Sequence, residues 1–226
     1  MQIHLTRSEA SWGVRYLLFQ LAFLPSLLQS VLGLLNLRLP AVALNIAYWG
    51  INFSAACWIF REFLGNSLTH LIQNSRKILL ATAVGLAVYI PLRMGLSALT
   101  EHLFPQFFNV NDASLAQSAR QNYGLMALGV VVLVPITEEL FYRGAVFGLL
   151  RPYGRFIAYG VSMLAFCTIH VMGYFGSYPP LHLLICFLQY IPAGLVLAGV
   201  YEYSGSIFAP TLIHMAVNAI AISNMR

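Results

Sequence analysis

Glu138, Glu139 and Arg143 lie within Pro-Ile-Thr-Glu-Glu-Leu-Phe-Tyr-Arg-Gly, residues 135 to 144, inside an apolar stretch long enough to cross a bilayer. A charged group at that depth costs roughly 2.5–3.5 kcal/mol on insertion scales, so three together point to function rather than packing. On a helix, Glu139 and Arg143 are four residues apart and share a face, acid before base in the favoured order. Glu138 is turned about 100° away, so one carboxylate can be held by the arginine while the other faces a cavity. The same four-residue spacing joins Phe166 to His170 and His214 to Asn218 on two later apolar segments.

Two carboxylates, two imidazoles, an amide and a guanidinium have the makings of a water-activating site. A carboxylate in an apolar setting is a stronger base than one in water, and a neighbouring imidazole can relay its proton. Asn and His side chains can donate hydrogen bonds to the oxyanion formed when water attacks an amide. Alternatively Glu138, His170 and His214 could hold zinc with one position open for water. The plainer reading makes Glu138, Glu139 and Arg143 a structural ion-pair network, and His214 with Asn218 interhelical polar glue. That reading leaves the second carboxylate unpaired at membrane depth, which is expensive.

The elements that carry these residues follow from composition. The chain has 226 residues, 59% hydrophobic and 8% charged, with a mean hydropathy of +0.76, whereas soluble domains carry about 25% charged residues. At about 20 apolar residues per crossing, the expectation is an all-α polytopic transmembrane bundle of about seven spans, eight at the upper limit. Apolar runs predict helices at 14–35, 41–61, 78–100, 122–150, 156–172, 181–200 and 207–223. Residues 61–77 read as an interhelical, interfacial segment, and 101–121 as the longest polar connection. The first apolar run follows Arg7 and Arg15 but has no Ala-x-Ala cleavage pattern, so it reads as a retained helix. With no repeat and no low-complexity linker, residues 1–226 read as one membrane domain.

The net charge of +5 is scattered at span ends, and so reports topology rather than nucleic-acid binding. With a cytoplasmic N-terminus, seven spans place Arg7, Arg15, Arg61, Arg76, Lys77, Arg151 and Arg155 inside and Arg38, Arg120 and Arg226 outside. Counted from the predicted cytoplasmic ends, Glu139, His170 and His214 lie about 16, 21 and 10 Å deep, close enough for one site. Cys57, Cys167 and Cys186 stand singly and read as small buried hydrophobes. Arg93, after Pro91, reads as snorkelling to the outer interface in preference to lining the cavity. His182 reads as interfacial, Gly194-x-x-x-Ala198 as a close helix contact, and Pro135 and Pro192 as kinks that free carbonyls. Trp12, Trp49 and Trp58 fit interfacial belts or lipid-facing surfaces.

In order along the chain, the motifs resemble the type II CAAX prenyl proteases and their prokaryotic relatives, the CPBP or Abi intramembrane proteases. Glu138, Glu139 and Arg143, with Phe141 and Gly144, match Glu-Glu-x-x-x-Arg. Phe166 and His170 match Phe-x-x-x-His, and His214 with Asn218, after the Gly205–Ser206 turn, matches His-x-x-x-Asn. Gly194-x-x-x-Ala198 followed by Tyr201 resembles the family's small-residue helix, with alanine where glycine is more usual. The resemblance spans 120–223, a motif-bearing protease core, and leaves the role of the first 120 residues unassigned.

The resemblance implies peptide-bond hydrolysis within the membrane. Glu138 would activate water with His170, His214 and Asn218 would stabilise the oxyanion, and Glu139 and Arg143 would orient the site. It implies no cofactor under a glutamate mechanism, with zinc as the alternative. The implied partners are the lipid bilayer and a peptide, small precursor or membrane-protein substrate, prenylated in some relatives. A chain this short is more similar to prokaryotic members, in a plasma membrane. The rival expectation is a non-enzymatic bacteriocin-immunity or scaffold protein in which the motifs hold a partner-binding cluster.

Overall fold

A computed structural model describes residues 5–225, which contain ten helices and no strand. They are α1 (Arg7–Ala22), α2 (Leu24–Leu34), α3 (Ala41–Ile59), α4 (Arg61–Gln73), α5 (Ser75–Leu103), α6 (Val110–Gln121), α7 (Tyr123–Tyr153), α8 (Arg155–Met172), α9 (Pro180–Ser204) and α10 (Phe208–Ser223). Five of them, α3, α5, α7, α8 and α9, are long and apolar enough to cross a membrane, and the bent pair α1 and α2 makes a sixth if taken as one span.

All seven expected apolar segments are helical, but fewer than seven have the length of a crossing. The segment predicted as 14–35 breaks at Phe23 with a 54° bend. Pro25, early in α2, lacks the N–H that would continue the ladder from the previous turn. The last segment, α10, has 16 residues and is about 24 Å long, shorter than the roughly 30 Å hydrocarbon layer. The interfacial segment expected after Arg61 is the helix α4. Its Phe63 N–H is capped from α1 by Glu9 Oε1 at 2.8 Å, while the same side chain closes a capping box with Thr6.

The polar connection expected over 101–121 also holds a helix, α6. Its signal is Asn109, whose Oδ1 accepts from the N–H groups of Asn111 and Asp112 at 3.0 and 3.2 Å.

Contacts gather the cations expected to be cytoplasmic at one end of the bundle. Arg151 and Arg155 converge on Glu202, Lys77 sits over Tyr203, and Arg61, Arg76, Arg7 and Arg15 lie on helix segments joined to that end. Arg38 and Arg120 flank the opposite ends of α3 and α7; Arg226 lies outside the described residues. Trp12 and Trp58 are exposed, each under an arginine, but Trp49 turns inward and packs against Gly129 of α7.

The core at the centre is aromatic, with Phe60, Phe63, Phe141, Tyr142, Phe147 and Phe166 all buried. Gly194 makes the close helix contact expected of it: a Cβ there would meet Met163 Cγ at 2.6 Å and its Cα at 3.2 Å, so α8 and α9 approach backbone to side chain. The three cysteines are free, with Cys167 and Cys186 buried.

Candidate active site

The site is built on α7, whose ladder is not uniform. Two stretches, Gly129–Leu133 and Leu140–Phe147, run in π-helical register around the short α-helical segment Val134–Glu139. Wide turns of this kind are rare and cluster at functional sites. Pro135 offers no N–H to the preceding turn, so a carbonyl there loses its helical partner. Val130 O is satisfied from α10, accepting from Asn218 Nδ2 at 2.9 Å. The freed carbonyl expected from Pro135 is thus what docks the last helix.

Glu139 is fully buried, and its Oε1 accepts from two elements at once. Arg143 Nη1 lies 3.0 Å away and His214 Nδ1 2.9 Å away. The expected i, i+4 pair therefore forms and extends to α10. Arg143 is itself fully buried, donates Nη2 to Ala193 O at 3.2 Å and lies 4.4 Å above the Phe166 ring. A guanidinium sealed in the core has its charge matched by Glu139 and its face by an aromatic quadrupole. Phe166 also meets Tyr142 edge-on and contacts both His170 and His214, at 4.8 and 5.9 Å between centroids. The aromatic member of the second motif is the hub between the two histidines.

Glu138 points the other way, as the 100° offset predicts. Its Oε2 has no hydrogen-bond partner and lies 3.9 Å from His214 Nε2, in ion-pair range but beyond a hydrogen bond. It lines a cavity of about 550 Å³ together with His170, His214, Asn218, Tyr142 and Tyr190. Four sequence-predicted residues, Glu138, His170, His214 and Asn218, thus share one cavity, while Glu139 and Arg143 sit behind it.

Hydrogen-bond logic sets the imidazole roles. His170 Nδ1 is 2.8 Å from Phe166 O; a carbonyl only accepts, so Nδ1 carries the proton and Nε2 is left as an acceptor. His214 Nδ1 donates to Glu139, so its Nε2 can donate toward Glu138 or a substrate only when the ring carries a second proton. Asn218 has one amide hydrogen committed to Val130 and keeps the other and its carbonyl. Among the described residues, no three of His, Cys, Asp and Glu converge to hold a metal ion. Glu138, His170 and His214 line one cavity without forming such a group.

Arg93 departs from the snorkelling expectation. It pairs with Asp112 of α6 at 3.6 Å, contacts Tyr89 Oη at 3.4 Å, and lines both the main cavity and a second one of about 260 Å³. The missed signal was Asp112, an acid in a polar connection with an arginine otherwise unmatched in the neighbouring span. His182 stands apart from the site, its Nε2 2.9 Å from Phe108 O among Phe107, Phe108 and Tyr178.

Residues 120–220 match a family model described as type II CAAX prenyl endopeptidase Rce1-like. The match covers the motif-bearing segment and bears out the resemblance read from it. No curated protein and no solved structure matches the chain.

Proposed function

We propose, from an Rce1-like endopeptidase segment in an integral membrane protein, that this chain hydrolyses peptide bonds inside the bilayer with water activated by Glu138. The observation that carries this is the unpartnered Glu138 Oε2 facing a cavity of about 550 Å³ that it shares with His170 and His214. A buried acceptor with no protein partner is costly, and water is the natural occupant of a polar cavity. Glu138 takes a proton from that water as it attacks the scissile carbonyl and passes it to the leaving amine as the C–N bond breaks, with His170, which lines the same cavity, sharing the proton. The oxyanion falls to His214 Nε2, when that ring is doubly protonated, and to the remaining amide hydrogen of Asn218. Glu139 and Arg143 hold His214 and the α7 turn in place.

The substrate is a membrane-associated or lipidated protein, or a small peptide precursor. The clustering of seven cations at one end supports a cytoplasmic N-terminus. The test compares peptide termini, by mass spectrometry, in cells making wild type or Glu138→Ala at matched membrane levels. Termini lost in the variant identify substrate and cleavage position; identical termini would overturn the assignment.

A further inference from the structure

Tyr190 belongs to no motif, yet its ring lies closer to the His170 imidazole than the ring of Phe166 does. The two rings stack with centroids 4.0 Å apart and an interplanar angle of 26°. Tyr190 sits at the interruption of α9, between Pro180–Gln189 and Ile191–Ser204. Pro192 explains the interruption. It sits in the first turn of the second half, where no N–H is needed, and offers none to the turn before it. Tyr190 itself keeps helical backbone angles, φ −92° and ψ −9°, and its ring packs on α8 through His170.

The far end of the ring is anchored as firmly as its face. The Tyr190 hydroxyl donates to Asn109 Oδ1 and accepts from Asn111 Nδ2, both at 3.2 Å. Asn109 is itself held, since its Nδ2 donates to Gln189 Oε1 at 2.9 Å while its Oδ1 caps α6. Two short side chains on the α6 N-terminus and one residue of α9 thus fix the hydroxyl, and the ring is buried.

We infer that Tyr190 is a positioning residue for the proposed hydrolysis. Clamped by Asn109 and Asn111, it holds the His170 imidazole in the plane that directs Nε2 into the cavity. This rests on the endopeptidase reading, in which His170 shares a proton with Glu138. The Nδ1 hydrogen bond to Phe166 O fixes one edge of the imidazole but leaves rotation about that bond. Phe166, tilted at 52°, packs against the ring without stacking on it. Tyr190 supplies the parallel face that removes the remaining freedom. Tyr190 touches no reacting atom, and its contribution is orientation, where misplacement by about 1 Å can cost on the order of a hundredfold in rate.

The test uses the full chain in detergent micelles, with Tyr190→Phe, Tyr190→Leu and Asn111→Ala. The His170 ring resonance, identified by its loss in His170→Gln, is read alongside kcat and KM on a substrate cleaved in a Glu138-dependent manner. Tyr190→Leu should shift and broaden that resonance and lower kcat about tenfold or more, with KM within about twofold. Tyr190→Phe keeps the stack and should restore the resonance and most of kcat. Asn111→Ala should move both in the direction of Tyr190→Leu but less far, and carries the test if Tyr190→Leu does not fold. An unchanged resonance in Tyr190→Leu, or a loss of kcat that Tyr190→Phe does not rescue, would overturn the inference. Absence of Glu138-dependent cleavage would instead sink the endopeptidase reading, while the resonance would still decide whether Tyr190 orients His170.

Discussion

Glu139 and His214, 75 positions apart in sequence, meet through a 2.9 Å hydrogen bond from Nδ1 to Oε1. The same oxygen takes Nη1 of Arg143 at 3.0 Å. One carboxylate oxygen therefore joins α7 to α10 and orients the imidazole that faces Glu138. The two adjacent glutamates divide the labour: Glu139 is fully enclosed, with Oε1 paired to Arg143 and His214 and Oε2 without a hydrogen-bond partner, and Glu138 is open to the cavity.

That division predicts opposite outcomes for the two. Arg143→Met leaves Glu139 as a buried charge without its cation, and breaking such a pair costs about 3–5 kcal/mol. Thermal unfolding in detergent should show a large drop in Tm. An unchanged Tm would mean that the pair is not holding α7.

Glu138→Gln, by contrast, removes a carboxylate that has no hydrogen-bond partner on Oε2. Folding should be preserved, with Tm near wild type, while turnover falls by on the order of a hundredfold or more, the usual share of a general base. Retention of activity in this variant, measured on purified protein, would remove Glu138 from the mechanism.

Asn218→Ala separates two roles for one amide. The side chain holds Val130 O in the π-helical stretch of α7, and leaving a buried carbonyl unpaired costs about 1–3 kcal/mol. The expected result is a lower Tm together with lower turnover. Lost turnover at unchanged Tm would place all of its value in the oxyanion and none in the docking of α10.

Gly194→Val tests the packing that brings α9 against α8. The added Cβ would fall 2.6 Å from Met163 Cγ and 3.2 Å from Met163 Cα. Overpacking of this kind costs about 1–3 kcal/mol. Gly199, where a Cβ meets only the Tyr159 hydroxyl at 3.6 Å, serves as the control, and Gly199→Ala should unfold close to wild type.

Asp112, on α6 outside the candidate spans, supplies a pH signature. Burial raises its carboxyl above the ordinary aspartate range, with the Arg93 guanidinium pulling the other way. A carboxyl that holds its proton more tightly when folded adds stability at low pH. It loses that contribution as pH rises from the ordinary aspartate range through the raised folded value. Unfolding followed across that range should show stability falling with pH in wild type and a flatter profile in Asp112→Asn.

Much of this was legible in the chain itself. Composition specified a helical membrane bundle, because 8% charge cannot clothe a soluble fold of this size. Four-residue spacing placed Glu139 over Arg143, and the 100° offset set Glu138 apart, because helix geometry is local and periodic. The chain also held the signals of α6 in Asn109 and Asp112, but a polar connection masks a short capped helix when only hydropathy is followed. Tertiary structure alone decided the rest. The π-helical turns of α7, of which the first ends just before Pro135, are not announced by any local spacing. The Asn218 contact with Val130, the inward turn of Arg93 to Asp112 and the stacking of Tyr190 on His170 each join residues from separate helices. Such pairings depend on how the helices rotate and tilt against one another, and no spacing within a single helix encodes that.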